Sequence, residues 1–216
     1  MTVDLEKITK EVRNVTPDCI IIVDGIQHSS HGAIDVQKYD IDGYVVSPYK
    51  MFSRHGYGVA WASDRLCTLK KEQLADGPFQ NWELGTRDAG SYATFSDVVD
   101  YLDWLGSNFT ESEDTRERLE ASSIAIKSHE QELVDLVING AEDIVGLKNN
   151  KEIRIIGNPA SNSREGVVSF FQKNKPSSII VEELRQRKIR VHIRKDDHYC
   201  GNILRPLNQK DCIRFS

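Results

Sequence analysis

Three polar side chains stand where predicted strands end, and their types and spacing are suited to chemistry. Asp24 follows the apolar run 19-CIIIV-23, Ser47 follows a second apolar run, and Lys50 comes three residues later. In an open α/β sheet the carboxyl ends of the strands line the ligand crevice. A carboxylate there needs a cationic or N–H partner, and a lysine amine that loses its hydration becomes a nucleophile toward carbonyl groups.

The spacing of Asp24, Gln27 and Lys50 is that required for pyridoxal phosphate. The lysine forms an aldimine with this cofactor, and an acid holds the pyridinium N–H so that the ring can accept electrons. A glutamine amide can donate to the phenolic oxygen. From spacing alone the alternative stays open that Lys50 is a solvated surface residue, as most lysines are.

Composition narrows the class of protein. The 216 residues are 39% hydrophobic and 28% charged, which is typical of one globular domain or one and a half. A net charge of −5 and a pI near 5.7 do not favour binding to nucleic acid or to an anionic membrane. No apolar run approaches the roughly 20 residues that would cross a membrane.

The cysteines and the first residues bear on metal binding and location. Four cysteines occur without CxxC spacing, so we expect neither a metal site nor a disulfide framework. Residues 1–15 are charged and amphipathic and show no secretory signal. A reducing, cytoplasmic location is therefore expected. The four residues are Cys19, Cys67, Cys200 and Cys212.

Hydrophobic periodicity predicts the helices and strands that would position these residues. An N-terminal helix and three β-branched runs predict an α/β layer, whose first run is expected to be a central strand of a mostly parallel sheet. Two helical patterns follow. Short strands around one helix then indicate a small α/β or α+β domain. The strands are predicted at 19–25, 41–47, 58–63, 153–157, 166–171, 189–194 and 211–216, and the helices at 3–15, 92–106, 112–139 and 179–188.

The stretch 23-VDGIQHSSHGAIDVQKYDIDGYVVSPYKMFSRHGYGVAW-61 resembles the cofactor segment of the class V aminotransferases. This family includes cysteine desulfurases, selenocysteine lyases and isopenicillin N epimerase-like proteins. Its pattern runs D-x-x-Q, a histidine four further on, I-D-V, then D-x-Y-x-x-S-x-H-K and G-x-G. The matching residues are Asp24, Gln27, His31, Ile34, Asp35, Val36, Asp42, Tyr44, Ser47, Lys50, Gly56 and Gly58.

The resemblance implies the pyridoxal phosphate-dependent transferase fold of type I. Residues 1–110 would be the C-terminal part of the large, mostly parallel-sheet domain that binds the cofactor. Residues 111–216 would be the small C-terminal domain, cut at its end in the strand 211–216. The resemblance covers only the second half of the family's polypeptide, and it implies a homodimer with shared active sites.

The resemblance also assigns roles within the cofactor segment. Lys50 would be the Schiff-base lysine, Asp24 the partner of the pyridinium nitrogen and Gln27 the residue near the phenolic oxygen. Ser47 would contact the phosphate. Tyr49 stands where the family usually has histidine, and its hydroxyl could still reach the phosphate.

Two further segments extend the resemblance. In 82-WELGTRD-88, Thr86 would reach the cofactor phosphate of the neighbouring subunit, and Arg87 could serve a substrate or cofactor anion. Without the resemblance this segment is an ordinary helix entry with Asp88 as the N-cap. In 211-DCIRFS-216, Arg214 matches the arginine that pairs with the substrate carboxylate.

One histidine and one cysteine segment are also considered. His28 directly follows Gln27 and is placed near the ring as a substrate-binding candidate, with a packed loop histidine as the alternative. The segment 194-RKDDHYCGN-202 resembles the loop that carries the active cysteine of some desulfurases, but the matching position falls on Tyr199. Cys200 stands one residue later, and a one-residue shift in an extended segment turns the thiol to the opposite face.

The predicted function is that of a pyridoxal phosphate-dependent enzyme, or a fragment of one. It would act on the Cα of a small amino acid through a Lys50 aldimine, as a transaminase, epimerase or lyase. One alternative is a cysteine desulfurase or selenocysteine lyase, and another is a non-catalytic, truncated fragment of the same fold. The expected partners are a small amino-acid substrate and a second copy of the chain.

Overall fold

The computed structural model describes residues 3–79, 81–86, 88–159 and 164–216. Two compact units are present, one spanning residues 3–126 and the other residues 127–216. Their boundary falls inside a long helix, and the sequence predicted a boundary inside or just before that helix. Within the described residues no helix is both long enough and apolar enough to span a bilayer.

The first unit contains a three-stranded sheet preceded by helix α1 (Leu5–Val15). Strands β1 (Ile22–Asp24) and β2 (Gly43–Val46) pair in parallel, and β3 (Val59–Ala62) pairs with β2 in antiparallel fashion. The central strand is therefore β2, whose residues are mostly buried. The sequence predicted a central position for β1, but in the described part of the chain β1 is an edge strand and Ile22 is 58% exposed.

A buried carboxylate fixes the start of β2. Asp42 is fully buried and accepts hydrogen bonds from the Ile21 N–H at 2.8 Å and from Arg13 at 2.9 Å. Arg65 in the short helix α2 (Asp64–Cys67) donates to its other oxygen. Burial alone would raise the pKa of Asp42, but the Ile21 N–H and the two guanidinium groups outweigh it and hold the pKa below its ordinary value.

One long helix and the first half of another complete the first unit. Helix α3 (Ala89–Gly106) begins at the N-cap Asp88, whose side chain accepts from the Ser91 N–H at 3.2 Å. The sequence predicted Gly106 as a C-cap, but Gly106 is the last helical residue and Ser107 is the cap. A Cβ at Gly106 would overlap the main-chain carbonyl of Arg118. Glycine is thus required because helix α4 (Thr115–Asn139) passes very close.

The second unit is an antiparallel sheet with helices, an α+β arrangement. Its elements are β4 (Gly140–Ala141), β5 (Ile144–Val145), β6 (Ile153–Ile155), β7 (Val168–Gln172), α5 (Ser177–Gln186), β8 (His192–Lys195), α6 (Gly201–Leu204) and β9 (Asp211–Phe215). The four main strands pair in the order β6–β7–β9–β8 and lie at the four positions predicted from the sequence. The short strands β4 and β5 form a hairpin between the end of α4 and this sheet.

This sheet contributes to two apolar clusters. Val168 packs with Val134 and Ile138 from the second half of α4. Phe171 and Cys212 pack instead with Leu204 of α6. Because alternate residues of a strand face opposite sides, the sheet contributes to one cluster from each face. The arginines of β8 and β9 considered below share the face of Cys212.

Candidate active site

The first two strands bring the predicted cofactor residues to one edge. Strands β1 and β2 are parallel, with Asp24 opposite Val45, so both carboxyl ends lie at the same edge. Ser47 and Lys50 follow β2 directly. The 3-10 turn His28–Ser30 lies against the 3-10 turn Pro48–Met51, which contains Lys50. The structure therefore brings the Asp24 segment and the Lys50 segment together.

Asp24 presents its carboxylate at this edge. The side chain is exposed, and its Oδ1 accepts a hydrogen bond from the Ile26 N–H at 3.2 Å. The next residue, Gly25, donates its N–H to the Val45 carbonyl at 3.0 Å. A Cβ on Gly25 would overlap the ring of Tyr44, which is only 7% exposed. The chain after Asp24 is thus held against Tyr44, a positioning residue that only its place in the motif could have indicated.

Lys50 is held by a tight turn. The Ser47 carbonyl accepts from the Lys50 N–H at 3.0 Å, and Pro48 is buried at the start of the turn. Phe52 ends the turn in the left-handed region, with φ of 71°. The Lys50 side chain is half-buried. A short helical turn that starts with proline restricts the backbone, so the direction of this lysine is set locally.

Tyr49 and Ser47 are placed beside the lysine. The Tyr49 ring stacks on His55, with 4.2 Å between ring centroids and 22° between planes. The Lys50 Nζ lies 5.5 Å from the Tyr49 ring centroid, at the outer range of a cation–π contact. Ser47 is half-buried, and its hydroxyl does not cap the turn.

Gln27 and His28 lie on the facing turn. Gln27 is exposed, and its carbonyl accepts from the Ser30 hydroxyl at 3.5 Å. His28 is half-buried, and its ring lies so close to Gly32 that a Cβ there would come within 2.8 Å of it. His28 is thus packed against its own loop.

The segment after Lys50 is tied to helix α3 by contacts that the sequence did not reveal. Arg54 forms an ion pair with Asp88 and donates through Nε to the Ser91 hydroxyl at 3.1 Å. The Ser53 hydroxyl donates to Thr94 at 3.1 Å. Only the capping spacing of Asp88 and Ser91 was visible in the sequence. Arg54, 34 positions before Asp88, carried no such signal.

Thr86 lies close to the start of α3 in the chain. It is exposed and stands two residues before Asp88. Asp88 caps the helix, as the sequence predicted for this segment, and this cap leaves the predicted role of Thr86 open. Arg87 lies outside the described residues.

In the second unit, Arg214 lies on β9 between two strands. It stands opposite Ser169 of β7 and His192 of β8. Its Nε is buried without a hydrogen-bond partner in the described residues, and its Nη2 donates to the Ser216 hydroxyl at 3.4 Å. Burial lowers the pKa of Arg214, and the charge of Arg194 lowers it further. Arg194 was not predicted as a site residue, and its strand position beside β9 is apparent only from the sheet.

Cys200, the cysteine of the 194–202 segment, packs against apolar side chains and is not fully exposed. Cys200 is half-buried and lies against the cluster of Phe171, Leu204 and Cys212. Its N–H donates to Asp197 Oδ1 at 3.1 Å. Tyr199, at the position that matches the desulfurase cysteine, is 79% exposed.

Within the described ranges no group of three or more histidine, cysteine, aspartate or glutamate side chains is placed to hold a metal ion. The residues at the β1–β2 edge do fit a cofactor with a carbonyl group and a basic ring nitrogen. They offer a half-buried amine on a fixed turn and an exposed carboxylate on the neighbouring strand end. These are the two groups that pyridoxal phosphate needs.

An α/β sheet unit with a lysine turn at its carboxyl edge, followed by an α+β unit, defines a part of a fold type I, pyridoxal phosphate-dependent transferase. The profile of the family "Aminotransferase class-V" matches residues 1–216. The chain belongs to the class V aminotransferases. This confirms the family and the fold class that the sequence predicted.

The similar proteins are mostly cysteine desulfurases. A cysteine desulfurase of Wigglesworthia glossinidia brevipalpis is 42% identical over 67 residues, which is 31% of this chain and 16% of the relative. A probable cysteine desulfurase of Mycobacterium leprae is 23% identical, over 84% of this chain and 41% of its own length. An aminotransferase-like protein of Gibberella zeae is 27% identical, over 84% and 42%.

Solved structures show the same fold. The cysteine desulfurase CsdA of Escherichia coli has a TM-score of 0.70 at 19% identity, and the match covers 100% of this chain and 50% of that one. A cysteine desulfurase of Thermococcus onnurineus has a TM-score of 0.65 at 18% identity, over 99% and 50%. The chain thus spans about half the length of the solved structures that it matches.

Proposed function

We propose that this chain is a pyridoxal phosphate-dependent enzyme, or part of one, that acts on the Cα of a small amino acid with Lys50 as its catalytic residue. The observation that carries the proposal is the Lys50 turn, held at the edge where two parallel strands end and beside the segment that follows Asp24. The outcome is a transamination, an epimerisation or an elimination.

The proposed roles follow the chemistry of each group. When bound, the cofactor supplies an electron sink that stabilises negative charge at the substrate Cα. Lys50 attaches the cofactor through its amine and carries the proton to or from Cα. Asp24, exposed at the strand end, accepts the ring N–H. Gln27 and His28, on the facing turn, contact the ring and its phenolic oxygen.

Anion binding is assigned to four other side chains. Ser47 precedes the lysine turn, Tyr49 lies within it, and both offer hydroxyls to the cofactor phosphate. Thr86 offers its hydroxyl to the phosphate held by a second copy of the chain. Arg214 binds the substrate carboxylate, because a guanidinium can pair with both of its oxygens. Thr86 is exposed, which suits a contact with another copy.

The direct test is covalent capture of the cofactor. The purified chain is mixed with pyridoxal phosphate, its visible spectrum is recorded, and the adduct is fixed with borohydride and mapped by mass spectrometry. We expect a protein-bound absorbance and a modified Lys50 peptide. Both should be lost in Lys50→Ala and kept in Lys70→Ala, which removes an exposed lysine of the same unit. A spectrum of free cofactor alone would instead support the non-catalytic alternative.

The second candidate is sulfur or selenium removal from cysteine or selenocysteine. It is favoured by the names of the relatives, several of which are cysteine desulfurases. The packing of Cys200 against Phe171 and Cys212 counts against a thiol that carries sulfur away. Sulfide release from L-cysteine, measured for the chain and for Cys200→Ser, distinguishes the two. Release that depends on Cys200 would overturn the first candidate.

The assembly and location are proposed on separate grounds. Phe52, Tyr101 and Trp104 form an exposed aromatic patch, with ring centroids 5.7 and 5.8 Å apart, and they are 67%, 43% and 60% exposed. Such a patch suits the interface of a homodimer. The four cysteines are free thiols, which accords with a reducing cytoplasm.

A further inference from the structure

Two arginines of the second unit occupy one face of adjoining strands. In the β8–β9 pair, Arg194 stands opposite Cys212 and Arg214 stands opposite His192. Residues directly opposite each other, and residues two apart on one strand, project from the same face. Arg194 and Arg214 are therefore diagonal neighbours on that face, with main chains about 7–8 Å apart.

Neither guanidinium is paired with an acid among the residues that the structure describes. The Nε atoms of both arginines are buried and have no hydrogen-bond partner among the described residues. Seven other described arginines have carboxylate partners, and buried Arg164 donates to the Ile156 and Asn158 carbonyls. Arg154, Arg187 and Arg190 have no carboxylate partner among the described residues, but they are exposed to water. The paired arginines are Arg13, Arg54, Arg65, Arg116, Arg118, Arg185 and Arg205.

The carboxylates near this pair are engaged elsewhere. Asp196 binds Arg205 at 2.7 Å, and Asp197 accepts from the N–H groups of Tyr199 and Cys200. Asp211 stands opposite Lys195, in the residue pair next to that of Arg194 and Cys212. Because neighbouring pairs face opposite sides of the sheet, Asp211 lies on the other face from the arginines.

The cost of this arrangement indicates a missing anion. Two like charges side by side in a partly buried place repel each other, and each loses hydration without gaining an acidic partner. Burial and the charge of Arg194 lower the pKa of Arg214. One carboxylate would satisfy one guanidinium, because a bidentate pair uses a single fork of N–H groups. Because both guanidiniums lack an acidic partner, a ligand with two acidic groups could pair with both of them.

We propose that Arg194 and Arg214 form a two-guanidinium site for an amino acid whose side chain carries a second acidic group, an amino dicarboxylate. Arg214 binds one carboxylate and Arg194 binds the other. This inference rests on the proposed function in taking the anion to be the amino-acid substrate. Recognition of the dianion itself needs no cofactor.

The test is calorimetric titration of the cofactor-free chain with L-aspartate and with L-asparagine, which is nearly isosteric but lacks the second charge. We expect L-aspartate to bind at least about tenfold more tightly, because a charge-assisted hydrogen bond is worth that factor or more. In Arg194→Gln this preference should disappear. In Arg190→Gln, an exposed arginine with the same charge change, it should remain.

The remaining outcomes are equally decisive. Equal affinity for the two amino acids, or no binding of either one, would overturn the inference. If Arg194→Gln fails to fold by circular dichroism, Arg194→Lys serves instead, and it should keep only part of the preference because it lacks the planar fork. Failure of the proposed function is seen separately, because borohydride capture at Lys50 does not involve either arginine.

Discussion

Arg13 on helix α1 donates to the buried carboxylate of Asp42 at 2.9 Å and so joins the first helix to the start of the central strand. Arg65 of α2 binds the other oxygen of the same carboxylate. One acid therefore fixes two helices relative to β2. Because β2 leads into the Lys50 turn, this contact also positions the candidate active site.

Replacing Asp42 by asparagine removes the charge that both arginines need. We expect the free energy of unfolding to fall by about 3–5 kcal/mol, because Arg13, which is only 12% exposed, loses its fully buried acidic partner and keeps only the exposed Asp40. Urea unfolding at pH 7 measures it. The control is Asp40→Asn, since Asp40 pairs with the same arginines but is 64% exposed and should cost about 1 kcal/mol or less. Equal losses in the two variants would contradict this account.

The same carboxylate predicts a pH dependence. The pKa of Asp42 is lower in the folded chain than its ordinary value of 3.8, so its stabilisation is complete above that value. It is lost as the pH falls through the folded value. Unfolding free energies measured from pH 5 to pH 3 should therefore decline more steeply in the wild type than in Asp42→Asn. Parallel curves would be inconsistent with a titrating Asp42.

Gly106→Ala should destabilise the chain although alanine favours helix. Alanine normally gains up to about 1 kcal/mol over glycine inside a helix. Here its Cβ would overlap the Arg118 carbonyl, so we expect a net loss of about 1–3 kcal/mol from overpacking. Thermal unfolding measures the difference. Gly90→Ala, in the first turn of the same helix, meets only a movable Asp88 oxygen at 3.3 Å and should be neutral or stabilising.

Arg54→Ala should loosen the segment that follows Lys50. The Arg54 guanidinium binds Asp88 and Ser91, and its loss leaves the Ser53–Thr94 hydrogen bond to connect this segment to helix α3. We expect faster hydrogen exchange in peptides covering residues 48–58, measured by mass spectrometry. Arg185→Ala removes an exposed i,i+3 ion pair of the second unit and should leave that segment unchanged. Unaltered exchange in Arg54→Ala would show that the ion pair does not hold the turn.

Cys212 should be the slowest of the four thiols to react. Burial, then the neighbouring Cys200 and Asp211, raises the pKa of the Cys212 thiol to about 11. Only the thiolate reacts readily, and little of it exists at pH 8. A time course of iodoacetamide labelling, followed by peptide mapping, should show Cys19 modified well before Cys212. In urea the difference should vanish, and equally fast native labelling would refute the expected burial.

Trp104→Glu should weaken self-association. The change puts a charge into the patch of Phe52, Tyr101 and Trp104, which we assign to the homodimer interface. Sedimentation velocity should show a shift from dimer to monomer at a fixed micromolar concentration. Tyr199→Glu, at a 79% exposed position of the second unit, should leave the distribution unchanged. A wild type that is monomeric throughout would remove the basis for a shared site.

Much of the candidate site could be predicted from the sequence because it depends on short segments of the chain. Asp24, Gln27, Ser47 and Lys50 follow short apolar strands, and parallel pairing puts both strand ends at one edge. The Asp88 cap was also legible, since capping depends on a spacing of three residues. The role of Gly106 could be predicted only in part, because it depends on close packing against Arg118 of helix α4, which lies 12 residues farther along the chain.

The sequence by itself determined the family, the fold class and the order of the longer elements, since these depend on local periodicity and on a motif of fixed spacing. Only the tertiary structure decided that Asp42 binds two distant arginines, that Arg54 reaches Asp88 and that Arg194 stands beside Arg214. Residues that contact each other but lie 20 or more positions apart produce no periodic pattern in the sequence. Their contacts exist only where chain folding and sheet register bring the side chains together.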